Sequence, residues 1–237
     1  MRKSTEAHGG GDLLTIIREV PLFAHLQDED VEKLASIAHL KTFPKDHLLF
    51  ERGEEGCEFL VVTQGRLKLI LLHEDGRELT LTILGPYQSF GEMALLEDAP
   101  RSASAVALSE LRVLSISKRD FQTLLDSSPR LCLGLLKAMG RRLRDLTEDT
   151  AGLIFLDVYQ RVARKLLTLM RSIGVNRARG IEIPQRLTHQ ELANLVGATR
   201  ETVTKVLNDL EGRGVILIEK KQVIVLDPVE LEACLTR

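Results

Sequence analysis

The chain has 237 residues, of which 44% are hydrophobic and 28% are charged, and its formal net charge is −2. This composition is typical of a globular protein with room for two hydrophobic cores, and no apolar run approaches the roughly 20 residues that span a membrane. No signal-peptide pattern follows Arg2 and Lys3, so we expect a cytoplasmic protein without membrane partners. The net charge predicts no global attraction to nucleic acid, so any such surface must be local.

The side chains that most often carry catalysis or bind metals show no suitable spacing. The three cysteines form no CxxC pair, and the six histidines form no ligand-like pattern. No nucleophile–base pair or Walker loop is present either. We therefore expect no disulfide framework, no metal site, no catalytic residues and no enzyme activity.

In chain order, residues 1–12 are polar and end in three glycines, which predicts a flexible tail. Leu13–Val20 and Asp28–Ala38 have the spacing of short amphipathic helices. From about Lys41, β-rich runs alternate with turn signals, and Asp75-Gly76 is a good hairpin signal. This spacing predicts a β-sandwich or barrel with strands at 47–50, 59–63, 66–72, 79–84, 104–107 and 111–117.

Residues 90–104, FGEMALLEDAPRSAS, interrupt the strand pattern. Gly91 permits close backbone approach, and a short helix at Glu92–Leu96 would direct N–H groups at an anion. Arg101 can pair with a phosphate through two hydrogen bonds and Ser102 can add a hydroxyl, while Glu92 suits a ribose hydroxyl. The pattern indicates a site for a small phosphorylated ligand. It is equally typical of a strand–helix–strand corner in which Arg101 pairs with Glu97 or Asp98.

This stretch resembles the phosphate-binding cassette of cyclic-nucleotide-binding domains, in which Gly-Glu begins a short helix and an Arg followed by a small residue ends the cassette. The resemblance covers about residues 20–125. It implies a jelly-roll β-barrel and a cyclic nucleotide effector, with cAMP expected first and cGMP or cyclic di-GMP as alternatives. It implies that Glu92 binds the ribose 2′-hydroxyl, that Arg101 and Ser102 hold the cyclic phosphate, and that Gly91, Met93 and Ala94 line the site.

Leu131–Ile154 has seam residues at alternating steps of four and three, which is typical of a coiled coil. A helix of this length would extend about 36 Å. The pattern favours pairing with the same helix of a second copy, and an amphipathic helix packed on its own domain is the alternative. The predicted dimer interface consists of Leu136, Met139, Leu143, Leu146 and Leu153.

After the long helix, an amphipathic helix runs to about Ile173, and residues 174–180 read as a polar loop before a short strand at Ile181–Ile183. Residues 187–214 then predict two helices joined by a tight turn at Gly197. Thr188 and Glu191 form a capping-box pattern, and Thr199 can cap the second helix. Val203, Val206, Leu207 and Leu210 form its buried stripe.

Two further β-rich runs, Val215–Ile218 and Val223–Leu226, flank a basic tip that contains Lys220 and Lys221. Together the segments are typical of a winged helix-turn-helix, whose second helix lies in a DNA major groove. A helical hairpin in some other core is the alternative.

The ordered set of barrel, cassette, long helix and winged helix-turn-helix resembles the catabolite activator branch of the CRP–FNR family, and the run GATRETV at 197–203 is a specific signature of that family. The resemblance implies a homodimeric transcription regulator that binds inverted repeats in double-stranded DNA and contacts RNA polymerase. It implies that Thr188 and Gln190 touch phosphates and that Arg200, Glu201 and Lys205 read bases, with Thr204 on the same outer face.

The cAMP-binding members of that family offer two adjacent hydroxyl side chains of the long helix to the adenine base. The corresponding residues here are Leu146 and Thr147, so Thr147 is expected to contact the nucleotide and Leu146 leaves base recognition open. Where close relatives often carry Arg, this chain has Lys205, which cannot form the same forked pair.

We therefore predict an α+β chain with a flexible tail at 1–12, a cyclic-nucleotide-binding domain at 13–130, a dimerisation helix at 131–156 and a winged helix-turn-helix domain at 157–237. The effector is expected to shift the population toward a form whose reading helices lie about 34 Å apart. The alternatives are a ligand-independent or cyclic di-GMP-responsive regulator of the same fold and, in another class, a cyclic-nucleotide-binding regulatory subunit or scaffold.

Overall fold

The computed structural model describes residues 10–24, 26–184, 187–220 and 222–236. The chain divides into two compact units, Met1–Leu143 and Arg144–Arg237. Of the predicted tail, residues 10–12 belong to the first helix, because the helix begins before the apolar residues that pack it into the core. Residues 1–9 lie outside the described ranges, as do Arg186 and Lys221.

The described part of the first unit is built from short helices and two four-stranded sheets. Its elements are α1 Gly10–Glu19, α2 Asp28–Ile37, β1 His39–Phe43, β2 Leu48–Phe50, β3 Glu58–Gln64, β4 Leu67–Leu72, β5 Glu78–Leu84, β6 Ser89–Phe90, α3 Glu92–Leu96, β7 Ser104–Ala107, β8 Leu111–Ser117, α4 Lys118–Ser127 and the first part of α5 Pro129–Phe155.

Both sheets are antiparallel, with strand orders β1–β8–β3–β6 and β2–β7–β4–β5. The central strand β3 is buried on both faces at Phe59–Val62, because alternate side chains enter two different hydrophobic clusters. The predicted hairpin is confirmed: β4 and β5 pair across a turn in which Gly76 has φ +85°. The α+β class and the β-rich first domain are as predicted.

Three elements of the first unit were not predicted from the sequence, namely β1, β6 and α4. Helix α4 begins where the Ser117 hydroxyl accepts a hydrogen bond from the backbone N–H of Asp120, an N-cap that the residue types alone could have indicated. Its Phe121 stacks on Phe59 with ring centroids 4.3 Å apart. The helix is therefore held by a contact between residues far apart in sequence.

The long helix is confirmed and is slightly longer than predicted. Helix α5 begins at Pro129, where a proline is tolerated because the first helical N–H has no intrahelical partner. It ends at Phe155, and α6 Val158–Ile173 begins three residues later with a capping box between Asp157 and Gln160.

The described part of the second unit contains the rest of α5 together with α6, a four-stranded sheet and three further capped helices. Its remaining elements are β9 Val175–Arg177, β10 Gly180–Ile183, α7 His189–Val196, α8 Arg200–Gly212, β11 Ile216–Glu219, β12 Gln222–Val225, α9 Pro228–Ala233 and a 3-10 turn at Cys234–Thr236. The sheet order is β11–β12–β10–β9.

The sequence-based interpretation of residues 174–180 as a polar loop is wrong. Val175–Arg177 forms β9, which pairs with β10 in an antiparallel hairpin. All three side chains of β9 are exposed, so the strand has no alternation of buried and exposed residues by which the sequence could reveal it.

The helix-turn-helix is built as its cap signals predict. Thr188 and Glu191 form the capping box of α7, and the Thr199 hydroxyl caps α8 through the N–H of Thr202. Gly197 has φ +62°, the left-handed conformation that ends α7 without steric cost. The predicted stripe of α8 is buried and joins the unit's core with the inner faces of α6 and α7.

Candidate nucleotide site and DNA interface

The cassette places a buried arginine beside a glycine with a left-handed backbone. Gly91 has φ +83°, and a Cβ added to it would lie 2.5 Å from Nη1 of Arg101. Gly56 leaves similar room, since a Cβ there would lie 2.5 Å from that of Ala94 and 3.5 Å from Cζ of Arg101. The two glycines thus allow the chain to close around the guanidinium group, a role that the sequence indicated only for Gly91.

Arg101 is 6% exposed and is fixed by backbone rather than by a carboxylate. Its Nη1 donates to the carbonyl of Gly91 at 2.9 Å and its Nη2 to that of Glu58 at 3.0 Å. Its Cζ lies 4.2 Å from the centroid of the Phe50 ring, a cation–π contact. The alternative pairing of Arg101 with Glu97 or Asp98 is therefore wrong.

Burial lowers the pKa of Arg101, while the nearby Cys57, Glu58, Glu92 and Glu54 oppose that shift. The group remains a cation, because an arginine side chain has a pKa far above neutral pH. Its Nε is buried and has no hydrogen-bond partner among the described residues. A buried donor without a partner is costly, so this atom is suited to an acceptor brought by a ligand.

Glu92 provides a buried acceptor that a hydroxyl of the same ligand could use. The residue is 3% exposed, and its Oε1 accepts a hydrogen bond from Arg142 on α5. Its Oε2 is buried without a partner within the described part of the chain. The donor at Arg101 and the acceptor at Glu92 fit a ligand that carries both an anionic group and a hydroxyl.

Arg142 is a site residue that the sequence interpretation missed. Its side chain is only 34% exposed and also donates to the carbonyl of Ser89. It thereby neutralises the buried Glu92 carboxylate. No helical periodicity signals a contact between residues fifty positions apart in sequence, so only the folded unit reveals it.

The remaining predicted nucleotide-site residues lie in different environments. Ala94 is buried, and Met93 is 41% exposed with its sulfur 3.8 Å from the Ser102 hydroxyl. Ser102 is exposed, next to buried Arg101. Thr147 lies on the exposed surface of α5 within the second unit.

The predicted dimer residues lie on α5. Leu136, Leu143, Leu146 and Leu153 are 65%, 67%, 49% and 48% exposed, whereas Met139 packs partly against the core of the first unit. Ile154 and Phe155 at the end of the helix are 70% and 79% exposed. A row of large, exposed apolar side chains along one helix is typical of a surface that a partner covers.

The outer face of α8 presents the predicted base-reading side chains. Arg200, Glu201 and Lys205 are all exposed. The pKa of Glu201 lies below its ordinary value, because its own backbone N–H and the Thr199 hydroxyl donate to the carboxylate. Glu201 is therefore an ionised acceptor at neutral pH, which suits the amino group of cytosine.

Three other predicted DNA residues already make internal hydrogen bonds. Thr188 is occupied by its capping box, and Gln190 donates to the Asn194 side chain at 2.8 Å. The Thr204 hydroxyl donates to the carbonyl of Arg200 at 2.8 Å and lies 2.8 Å from Nδ1 of His189. Thr204 therefore has no hydroxyl hydrogen left for a base.

Within the described ranges, no cluster of three metal-binding side chains occurs. Among those same residues, none of the helices is long and apolar enough to cross a membrane.

Comparison with known proteins matches both halves of the chain. Residues 40–128 match the cyclic nucleotide-binding domain, and residues 160–234 match the Crp-like helix-turn-helix domain. The chain is 34% identical over 216 residues to the CRP-like cAMP-activated global transcriptional regulator of Mycobacterium tuberculosis, covering 91% of this chain and 96% of that protein.

Two further relatives are also similar to this chain over most of its length. The cyclic AMP receptor protein of Thermus thermophilus is 34% identical over 90% of this chain and 95% of its own length. The solved structure of the c-di-GMP-responsive global regulator CLP of Xanthomonas campestris aligns with a TM-score of 0.74 at 28% identity, over 84% of this chain and 99% of that one. On these similarities and on its two domains, the chain belongs to the CRP/FNR family of transcription regulators.

Proposed function

We propose that this protein is a homodimeric, sequence-specific DNA-binding regulator whose affinity for inverted-repeat sites is controlled by a cyclic nucleotide, with cAMP as the effector. The observation that carries the proposal is a pair of buried cassette atoms, Nε of Arg101 and Oε2 of Glu92, neither of which has a hydrogen-bond partner among the described residues. A cyclic nucleotide brings an anion and a ribose hydroxyl, which are the groups these two atoms lack.

In this proposal Arg101 and Ser102 hold the cyclic phosphate and Glu92 accepts the ribose 2′-hydroxyl. Gly91, Met93 and Ala94 line the site, and Thr147 contacts the base. The relatives from Mycobacterium and Thermus are named for cAMP, which supports cAMP over other cyclic nucleotides. Leu146 offers no hydroxyl to the base, so discrimination between cAMP and cGMP would rest on Thr147.

The DNA contacts follow from the exposed face of α8. We propose that Arg200 and Lys205 donate to guanines, that Glu201 accepts from a cytosine, and that the N-terminal turn of α7 approaches the phosphates through Thr188 and Gln190. The internal hydrogen bonds of Thr204 suit a residue that positions α8 rather than one that reads a base.

The exposed apolar side chains of α5 support a dimer formed by this helix and its symmetry mate. Two copies would place two reading helices on one face of the DNA, about 34 Å apart. The effector would act by favouring this DNA-competent form, and a useful switch needs a preference of a few kcal/mol. Control of transcription in the cytoplasm through contact with RNA polymerase is the expected output.

The test is a pair of titrations on the purified full-length protein. Calorimetry measures binding of cAMP, cGMP and cyclic di-GMP, and fluorescence anisotropy measures binding of a labelled inverted-repeat duplex with and without each nucleotide. We expect cAMP to bind in the micromolar range and to tighten DNA binding at least tenfold, which is about 1.4 kcal/mol of coupling. DNA affinity that is the same with every nucleotide would contradict control by an effector.

A further inference from the structure

His189 is the first residue of α7 and lies between Thr188 and Gln190, the two proposed phosphate contacts. Its imidazole ring is half-buried, and its Nδ1 lies 2.8 Å from the hydroxyl oxygen of Thr204 on the reading helix. This hydrogen bond joins the two helices of the helix-turn-helix at the end that faces DNA in the proposed function.

The Thr204 hydroxyl has two neighbours but only one hydrogen. Its oxygen also lies 2.8 Å from the backbone carbonyl of Arg200. A carbonyl oxygen cannot donate, so the hydroxyl hydrogen must lie on that side. The hydrogen bond to His189 then requires a hydrogen on Nδ1, and the Thr204 oxygen accepts it.

A neutral imidazole carries one N–H, so with Nδ1 protonated its Nε2 bears a lone pair. This atom has no hydrogen-bond partner among the residues that the structure describes. A phosphodiester oxygen is an acceptor, and two acceptors cannot form a hydrogen bond. Contact between Nε2 and a DNA phosphate therefore requires a second proton on the ring.

The charges around His189 favour protonation of its ring when DNA binds. On its own helix the ionisable neighbour of His189 is Glu191, whose carboxylate is held by Thr188. Helices α8 and α6 pack against α7, and Arg161 of α6 reaches the opposite end of α7. The ionisable residues of these helices are Arg200, Glu201, Lys205, Asp209 and Glu211 on α8 and Tyr159, Arg161, Arg164, Lys165 and Arg171 on α6. A cation at a helix N-terminus is unfavourable in the free protein, whereas a phosphate stabilises it in the complex.

We propose that His189 is a DNA-phosphate ligand that binds as the imidazolium ion, so that each subunit takes up one proton when it binds DNA. The proposal rests on the DNA-binding function above and adds a contact and a proton linkage to it. Because imidazole groups ordinarily titrate near pH 6.5, the linkage should appear between about pH 6 and pH 8, above the range of ordinary carboxylates.

The test measures the affinity of the effector-saturated full-length protein for its inverted-repeat duplex at pH 6, 7 and 8 and at constant ionic strength. For the wild type we expect affinity to fall roughly threefold to tenfold per pH unit for each subunit above neutrality. His189→Gln replaces the ring with an amide that donates at any pH, so its profile should be nearly flat.

A second variant separates proton linkage from folding. Thr204→Val removes the acceptor for Nδ1, so the single hydrogen of the neutral ring can move to Nε2, and we expect a flat profile with affinity at pH 8 close to that at pH 6. Thr168→Val is the matched control, because its hydroxyl also donates to the carbonyl four residues earlier, at 3.0 Å, but contacts no histidine in the described chain. It should keep the wild-type slope.

A wild-type profile that is flat, or one that His189→Gln and Thr204→Val leave unchanged, overturns the proposal. The complete absence of specific DNA binding at every pH would instead contradict the proposed function itself. Calorimetry in two buffers of different ionisation enthalpy provides an independent count of the protons taken up, expected to be about one per subunit at pH 7.5 and near zero in His189→Gln.

Discussion

At the scale of single residues, the cassette depends on a charged side chain that is held almost entirely by backbone carbonyls. Arg101 donates to Gly91 and Glu58 and lies over the Phe50 ring. Its orientation is thus set before any ligand arrives, which lowers the entropy lost when an anion binds. Two substitutions test this arrangement.

Arg101→Ala should weaken cyclic-nucleotide binding by at least about 30-fold, because removing one partner of a buried charged contact costs roughly 2–5 kcal/mol. Calorimetric titration measures the effect. Arg77→Ala is the control, since that side chain is 78% exposed at the tip of the β4–β5 hairpin. Equal affinity for the two variants would place the nucleotide elsewhere.

Gly91→Ala should reduce both thermal stability and nucleotide affinity. A non-glycine residue at φ +83° costs about 1–2 kcal/mol, and its Cβ would lie 2.5 Å from Nη1 of Arg101. Gly140→Ala in α5 has nothing within 4 Å of the added Cβ and should be neutral or stabilising by about 0.5–1 kcal/mol. Thermal unfolding with and without nucleotide compares them, and a Gly91→Ala protein as stable and as responsive as wild type would contradict the packing argument.

At the scale of elements, α5 combines two kinds of surface along one helix. Leu131 and Leu135 are buried in the core of the first unit, whereas Leu136 and Leu143 are exposed. The seam pattern alone could not separate these faces, because both alternatives require apolar residues at similar spacing. The exposed fractions of the side chains distinguish the buried face of the helix from its exposed face. The exposed face is therefore the surface to test for dimer formation.

Leu143→Asp should raise the dimer dissociation constant by roughly 100-fold or more, because it places a carboxylate in a desolvated apolar seam. Leu72→Asp is a matched control, as Leu72 is a similarly exposed leucine, 60% against 67%, at the end of β4. Sedimentation velocity over a range of concentrations reports the result. If both variants dissociate alike, or neither does, another surface forms the dimer.

At the scale of the whole molecule, the two domains identify a transcription regulator, and the proposed homodimer would make its choice of DNA site depend on two-fold symmetry. Binding-site selection should recover an inverted repeat with half-site centres about 34 Å apart. The CRP–FNR resemblance suggests half-sites related to TGTGA, and Lys205 should leave one position less strictly read, because a lysine cannot form the bidentate pair of an arginine.

Lys205→Arg should therefore sharpen selection at one base pair, while Arg200→Ala should cost about 1–3 kcal/mol and relax another. Selection followed by sequencing of the bound pool measures both effects. Recovery of a single, unpaired motif unrelated to TGTGA would contradict the model of two reading helices.

The sequence by itself determined the elements whose signals are local. The caps at Thr188 and Thr199, the turns at Gly76 and Gly197 and the period of α5 each depend on residues within one or two turns of the chain. The edge strand β9 was missed because an exposed strand carries no alternation of buried and exposed side chains.

Only the tertiary structure decided how the cassette is completed. Arg142 contacts Glu92, and Arg101 contacts both the carbonyl of Glu58 and the Phe50 ring. Each contact joins residues some 40–50 positions apart, and no periodicity in the sequence predicts such a pairing. The same holds for His189 and Thr204, fifteen residues apart on different helices. The Thr204 hydroxyl has one hydrogen and lies against both the Arg200 carbonyl and Nδ1 of His189. Only the folded geometry brings these groups together and so indicates that His189 donates the second hydrogen bond.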